Sequence, residues 1–131
     1  MITTPTVFIL GAGASLPYKF PSGTELADLI CKSDPSIYNP FGIDHRTASA
    51  FINELKRSDQ MAVDAFLEHR QEFVDVGKTA IALFLIGREN EPNLFPEPGQ
   101  RDWYTYLVDR LTVDTAFDNV AKNQVGFITF N

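Results

Sequence analysis

Val7-Phe8-Ile9-Leu10-Gly11-Ala12-Gly13-Ala14-Ser15-Leu16 is the segment from which the architecture of this chain can be predicted. Its first four residues are β-branched, aromatic or aliphatic, as in a parallel strand that is buried on both faces. The glycine and alanine residues that follow form a turn with almost no side chains. Such a turn, between a strand and a helix, presents backbone N–H groups to a phosphate. We therefore predict a strand from Thr6 to Leu10 and a phosphate-binding turn after it.

A second apolar segment, Phe127-Ile128-Thr129-Phe130-Asn131, closes the printed sequence. We expect a strand from Val125 to Phe130 beside the first one, because Asn131 can reach the glycine turn only from a neighbouring strand. The predicted fold class is α/β, a partial Rossmann-like doubly wound parallel sheet with a helical insertion between its first strands. Since such a sheet needs more than two strands, residues 1–131 are expected to be the amino-terminal part of a longer domain.

The residues between the two predicted strands have helical periodicity, and the insertion is placed at roughly residues 36–112. Apolar residues recur at intervals of three and four in each helical segment. Ser22 or Thr24 is suited to cap the first helix, and Gly77 is a point where the longest helix can be interrupted. The predicted helices are Glu25 to about Lys32, His45 to about Arg57, Met61 to about Arg88 and Asp102 to Leu111, with loops at Gly11–Gly23 and Glu91–Gln100.

Composition excludes several function classes. The net charge of −6 over 131 residues argues against a nucleic-acid partner, which would require clustered Lys and Arg side chains. The single cysteine, Cys31, excludes an internal disulfide and a cysteine-based zinc site, and no metal is expected. No signal peptide or membrane-spanning run is evident, so we expect a soluble cytoplasmic protein without a membrane partner.

Two common nucleotide-binding motifs do not fit the glycine turn. A P-loop closes on Gly-Lys followed by Ser or Thr, whereas Lys19 has no such neighbours. A dehydrogenase fingerprint has a third glycine where this chain has Leu16, and its acidic residue follows a strand. Asp34 lies at the corresponding distance, but the residues before it are typical of a helix end.

Gly11-Ala12-Gly13-Ala14-Ser15, followed by Pro21-Ser22-Gly23, resembles the nucleotide loop of the sirtuins. Thr129-Phe130-Asn131 is similar to the Thr-x-Asn strand end of that family, and the segment 63–68, Val-Asp-Ala-Phe-Leu-Glu, to a stretch common in its prokaryotic branch, many of whose members serve in anti-phage defence. The chain departs from the protein deacetylases, which have Pro-Asp-Phe-Arg where it has residues 21–24 and usually carry a four-cysteine zinc module.

The resemblance implies an NAD-binding domain of an enzyme that hydrolyses NAD to nicotinamide and ADP-ribose. It implies that Gly11, Ala12, Gly13, Ala14 and Ser15 bind the diphosphate together with Pro21 and Ser22, and that Asn131 holds the ribose or the attacking water. The catalytic histidine of the family would lie beyond Asn131, in the remainder of the chain, so residues 1–131 alone are expected to have little turnover. His45 and His69 do not match its position.

Other functions remain open at the level of the sequence. The domain could be a non-catalytic sensor of NAD or ADP-ribose that gates a partner domain, or an α/β module with a vestigial loop. Trp103, Tyr104 and Tyr106 could stack on a base, although aromatic residues at helical spacing are more often core. The helical middle could also mediate contacts in a homo-oligomer.

Overall fold

The computed structural model describes residues 1–95, 102–113 and 115–129. The chain divides into two compact units. The strand unit comprises Met1–Tyr18 and the described part of Glu91–Asn131, and the helical unit comprises Lys19–Asn90. In chain order the regular elements are β1 (Thr6–Leu10), α1 (Gly23–Cys31), α2 (His45–Arg57), α3 (Val63–His69), α4 (Val74–Ile86), α5 (Glu91–Leu94), α6 (Trp103–Thr112) and β2 (Val125–Thr129), with 3-10 segments at Ala12–Tyr18, Pro35–Phe41, Gln71–Phe73 and Phe117–Lys122.

In the strand unit, β1 and β2 are parallel neighbours, which confirms the predicted pairing. Their register runs from Thr6 opposite Val125 to Leu10 opposite Thr129. The Phe8 and Phe127 rings stack across the pair with centroids 5.6 Å apart. The amide of Thr6 donates to the carbonyl of Gln124 at 2.9 Å, which fixes the register at the start of the pair.

The helical unit contains the main buried core, which α1, α2, α3 and α4 build around Phe51, Tyr38 and Ile30. Three phenylalanines form its centre: Phe51 lies 6.1 Å from Phe66 and 5.9 Å from Phe73 between ring centroids. The Arg70 guanidinium covers two of these rings and pairs with the Glu54 carboxylate at 2.9 Å. A cation over an aromatic face is favourable, so Arg70 closes the core while it remains partly solvated.

Side-chain caps explain where the helices begin. Ser22 and Glu25 form a capping box at α1, with the Ser22 hydroxyl accepting from the Glu25 amide and the Glu25 carboxylate accepting from the Ser22 amide. The Asp44 carboxylate accepts from the amides of Arg46 and Thr47 at the start of α2. These bonds satisfy amides that have no acceptor inside the helix.

The helical unit is expected to lose stability as the pH falls. Hydrogen bonds from Thr47 hold the pKa of the Asp44 carboxyl below its ordinary value, and bonds from Ser36 and Ser22 do the same for Asp34 and Glu25. A carboxyl with a lowered pKa in the folded state stabilises the fold above its unfolded pKa, about 4, and this contribution is lost as the pH falls through the folded value. The thermal unfolding temperature of the chain should therefore fall between neutral and acidic pH. Asp44→Asn, which still caps a helix, should make this temperature less dependent on pH. An unchanged pH dependence in Asp44→Asn would show that Asp44 makes no contribution.

The prediction of a doubly wound Rossmann-like sheet is wrong. The described residues contain only the two strands β1 and β2, and most of the others are helical. A doubly wound sheet needs several parallel strands with helices on both faces, whereas the core helices of the helical unit bury their apolar faces against one another. Helices do lie between β1 and β2 in the sequence.

The structure also corrects the predicted helix between Met61 and Arg88. The helical segment is interrupted at Arg70, between α3 and the 3-10 segment Gln71–Phe73, and not at Gly77. Gly77 lies buried within α4, where an added Cβ would lie 2.6 Å from both terminal methyl carbons of Leu67. Glycine at this position therefore allows α4 to pack closely against Leu67 of α3. Across the described ranges, none of the helices has the length and apolar character needed to cross a membrane.

Candidate functional site

The predicted phosphate-binding turn follows β1 directly. Residues Ala12–Tyr18 form a 3-10 segment and not the irregular loop that was predicted. The Ala14 amide donates to the Gly11 carbonyl at 2.9 Å, so the amides of Ala12 and Gly13 precede the first internal hydrogen bond of the turn. Leu10 lies opposite Thr129 in the strand pair, so the turn begins where the carboxyl ends of both parallel strands lie side by side.

The outer surface of this turn is open. Gly11, Ala12 and Gly13 are exposed, and Ala14 and Ser15 are half-buried. A Cβ added at Gly11 or at Gly13 would meet no atom within 4 Å. Gly11 and Gly13 do not use the positive φ that glycine can adopt: among the described glycines only Gly42, with φ of 77°, has a positive φ. The glycines therefore leave space for an approaching group, and the backbone conformation does not require them.

Trp103, at the start of α6, holds the turn from within the strand unit. Its indole Nε1 donates to the Ala14 carbonyl at 2.8 Å. Its ring meets Tyr18 edge to face, with centroids 6.5 Å apart and an angle of 76° between the planes. Trp103 therefore fixes the turn at its middle and at its end. The sequence suggested that Trp103 stacks on a base or belongs to the core, and neither suggestion included its hydrogen bond to the turn.

Tyr18 and Asp102 complete the support of the turn. The Tyr18 hydroxyl is buried and forms no well-directed hydrogen bond with the described residues. Burial, and then the neighbouring Asp102 carboxylate, raises the pKa of Tyr18 to about 12, so the phenol stays neutral at physiological pH. Asp102 caps α6 by accepting from the Thr105 amide at 2.7 Å, and this bond lowers its pKa.

The other predicted site residues lie elsewhere in the chain. Pro21 and Ser22 belong to the helical unit, where Ser22 uses both its hydroxyl and its amide in the capping box of α1. Asn131 lies outside the described residues, so its role stays a prediction. Gly11, Ala12, Gly13, Ala14 and Ser15 thus lie in one turn, whereas Ser22 caps α1.

The two histidines are exposed residues of the helical unit. His45 begins α2, with its Nδ1 3.3 Å from the Ser49 hydroxyl, and His69 ends α3. Within the ranges that the structure describes, no three His, Cys, Asp or Glu side chains are arranged to hold a metal ion.

Comparison of this chain with protein-family models, with curated proteins and with solved structures finds no match.

Replacing Trp103 by phenylalanine is expected to loosen the turn without unfolding the strand unit. The substitution keeps a ring beside Tyr18 but removes the hydrogen bond to the Ala14 carbonyl, at a cost of about 1 kcal/mol. Amide hydrogen exchange over residues 11–18 should become several-fold faster. Tyr104→Phe, which removes a hydroxyl from an exposed neighbour on the same helix, is the matched control. Equal exchange rates in wild type and Trp103→Phe would mean that the tryptophan does not hold the turn.

Proposed function

We propose that this chain binds NAD through the turn Gly11–Ser15, with the diphosphate of the dinucleotide against main-chain amides. The observation that supports this proposal is the position of the turn: an exposed backbone segment, almost without side chains, at the carboxyl ends of two neighbouring parallel strands. Ligands of parallel sheets bind outside the carboxyl ends of the strands, because the backbone turns away there and leaves amides unpaired.

A diphosphate suits this turn better than a bulkier or more weakly charged group. Residues 11–18 carry no charged side chain, so an anion there must be bound by backbone dipoles at close range. The open space at Gly11 and Gly13 permits that close approach. The negative net charge of the chain disfavours polyanions such as nucleic acid, which bind mainly through Lys and Arg.

The reaction proposed for the parent enzyme is hydrolysis of NAD to nicotinamide and ADP-ribose, as the sirtuin resemblance implies. Water adds to the ribose carbon, the bond to nicotinamide breaks, and a base accepts the proton released. Asn131 would hold the ribose or this water, and a histidine outside residues 1–131 would be the base. We place this activity in the cytoplasm, with anti-phage defence as its proposed setting.

Calorimetric titration of the chain with NAD, ADP-ribose and nicotinamide tests the binding proposal. NAD and ADP-ribose, which share the diphosphate, should both release heat with similar affinities, and nicotinamide alone should not. Absence of heat with both dinucleotide ligands would overturn the proposal. Ser22→Ala in the same assay shows whether Ser22 takes part: we expect unchanged affinity and a loss of about 1 kcal/mol in stability, because the residue caps α1.

A second assay separates an enzyme from a sensor. Nicotinamide release is measured from the longer protein that the proposed reaction requires, with Asn131→Ala as the comparison. Release that Asn131→Ala abolishes would support hydrolysis. Binding without any release would support a sensor of NAD or ADP-ribose in place of an enzyme.

A further inference from the structure

Pro17 deprives one carbonyl of the glycine turn of its regular donor. In a 3-10 segment, the amide of each residue donates to the carbonyl three positions earlier. The segment Ala12–Tyr18 contains Pro17, which has no amide hydrogen, so the Ala14 carbonyl cannot receive the bond that this pattern would give it. Ala14 is half-buried, and a carbonyl shielded from water needs a donor. Another group must therefore supply one.

The Trp103 indole supplies this missing donor. Its Nε1–H donates to the Ala14 carbonyl at 2.8 Å, across 89 positions of the chain. The indole ring is held edge to face by Tyr18, and the backbone beside it by the Asp102 carboxylate, which caps α6. In the hydrogen-bond pattern of the turn, the indole thus takes the place that an amide at position 17 would have.

Two peptide groups connect the indole to the outer surface of the turn. A trans peptide directs its carbonyl and its amide to opposite sides, so the Ser15 amide points away from the indole. The 3-10 pattern of the segment directs that amide to the Ala12 carbonyl. The Ala12 carbonyl shares its peptide group with the amide of the exposed Gly13, which precedes the first internal bond of the turn. Because consecutive hydrogen bonds polarise one another, a donor at the Ala14 carbonyl makes the Gly13 amide a stronger donor.

We propose that Trp103 is a positioning residue of the diphosphate site, which orients and polarises the Gly13 amide through the Ala14 carbonyl. This inference rests on the proposed function, because it concerns the affinity of that same site. Without the indole, fewer bonds would hold the peptide between residues 14 and 15, and binding would first have to order the turn, which weakens affinity. The affinity for the dinucleotide therefore depends on the donor at Ala14 as well as on the amides that face the ligand.

Calorimetric titration with NAD tests this role through loss and rescue of the donor. Trp103→Phe keeps a ring beside Tyr18 but removes the donor, and we expect the NAD dissociation constant to rise about fivefold. Pro17→Ala provides an amide that the 3-10 pattern directs to the Ala14 carbonyl. Combined with Trp103→Phe, it should return the constant to within about twofold of wild type. Pro17→Ala alone should also stay within about twofold, because a carbonyl can accept two bonds.

The rescue separates hydrogen bonding from packing. A double variant that binds as weakly as Trp103→Phe would overturn the proposal, because a new amide does not replace the lost indole contacts. Tyr104→Phe, which removes an exposed hydroxyl next to Trp103, is the control and should bind like wild type. If wild type binds NAD and Trp103→Phe binds it equally well, only the positioning role fails. If wild type itself does not bind NAD, the proposed function fails and the positioning role fails with it.

The indole N–H resonance of the wild-type chain gives a second test that requires no variant. Trp103 is the only tryptophan of the chain, so its indole signal is assigned directly. When the Gly13 amide binds the diphosphate, the connected hydrogen bonds strengthen together. The indole proton should therefore move downfield during addition of NAD, with the same dissociation constant as the Gly13 amide. An indole proton that stays in place while the Gly13 amide shifts would overturn the proposal.

Discussion

Gly13→Val should reduce the affinity of the chain for NAD by at least about 30-fold. The valine side chain would occupy the open space in front of the Ala12 and Gly13 amides, where we propose that the diphosphate binds. Losing two hydrogen bonds to a charged oxygen costs at least about 2 kcal/mol, and about 1.4 kcal/mol is a factor of ten. Calorimetric titration with NAD measures the change directly.

Stability separates this effect from misfolding. An added Cβ at Gly13 meets no atom within 4 Å and the residue has no positive φ, so the substitution should change the free energy of unfolding by less than about 1 kcal/mol. Gly126→Ala is the matched control: it lies on β2 of the same unit, where its Cβ would make an ordinary contact of 3.9 Å with Val7. It should bind NAD like wild type. If both variants bind as wild type does, the turn is not the site.

Phe51→Ala should lower the free energy of unfolding of the chain by about 3–5 kcal/mol. The Phe51 ring is fully buried at the centre of the helical unit and packs against Phe66 and Phe73. Its removal loses the buried apolar area and leaves a cavity that the surrounding helices can only partly close. Urea unfolding followed by far-ultraviolet circular dichroism is the appropriate measurement.

Phe41→Ala is the control for this loss. Phe41→Ala removes the same type of side chain, but Phe41 is 55% exposed at the end of the 3-10 segment Pro35–Phe41. We therefore expect the free energy of unfolding to fall by less than about 1 kcal/mol. Similar losses in the two variants would contradict the assignment of Phe51 to the centre of the core.

Local elements were predictable where the signal is local. The strand from Thr6 to Leu10 and the helix from His45 to Arg57 match the predicted bounds, because an apolar β-branched run and a helical stripe depend only on neighbouring residues. Ser22 was one of the two candidate caps of α1, and its position three residues before Glu25 is the capping-box spacing. The parallel pairing of β1 and β2 followed from the requirement that both strand ends form one crevice.

The fold class was not predictable from the same residues. We predicted a doubly wound architecture from the glycine turn, but proteins that differ in the rest of the sheet share such a turn. The two strands that the structure describes cannot build that architecture. Gly77 illustrates a second limit, because a glycine that breaks a helix and one that permits close packing against Leu67 look alike in a sequence. At the break, the Arg70 guanidinium lies over the Phe66 and Phe73 rings, a tertiary contact that no local pattern in the sequence indicates.

The candidate site was predictable only in part. Gly11–Ser15 could be selected because a glycine-rich turn after an apolar strand is a local pattern. The support of that turn by Trp103 could not be predicted, because 89 positions separate it from Ala14 and no motif connects them. Asp102, an N-cap residue directly before an aromatic helix, was the local signal that α6 begins there.

Backbone amide shifts in the isotope-labelled chain, recorded by nuclear magnetic resonance during addition of NAD, test the central claim most directly. We expect the largest shifts at the amides of residues 11–15, the same pattern with ADP-ribose, and no such pattern with nicotinamide. Shifts confined to the helical unit, or none at saturating NAD, would contradict the assignment of the turn as a dinucleotide site.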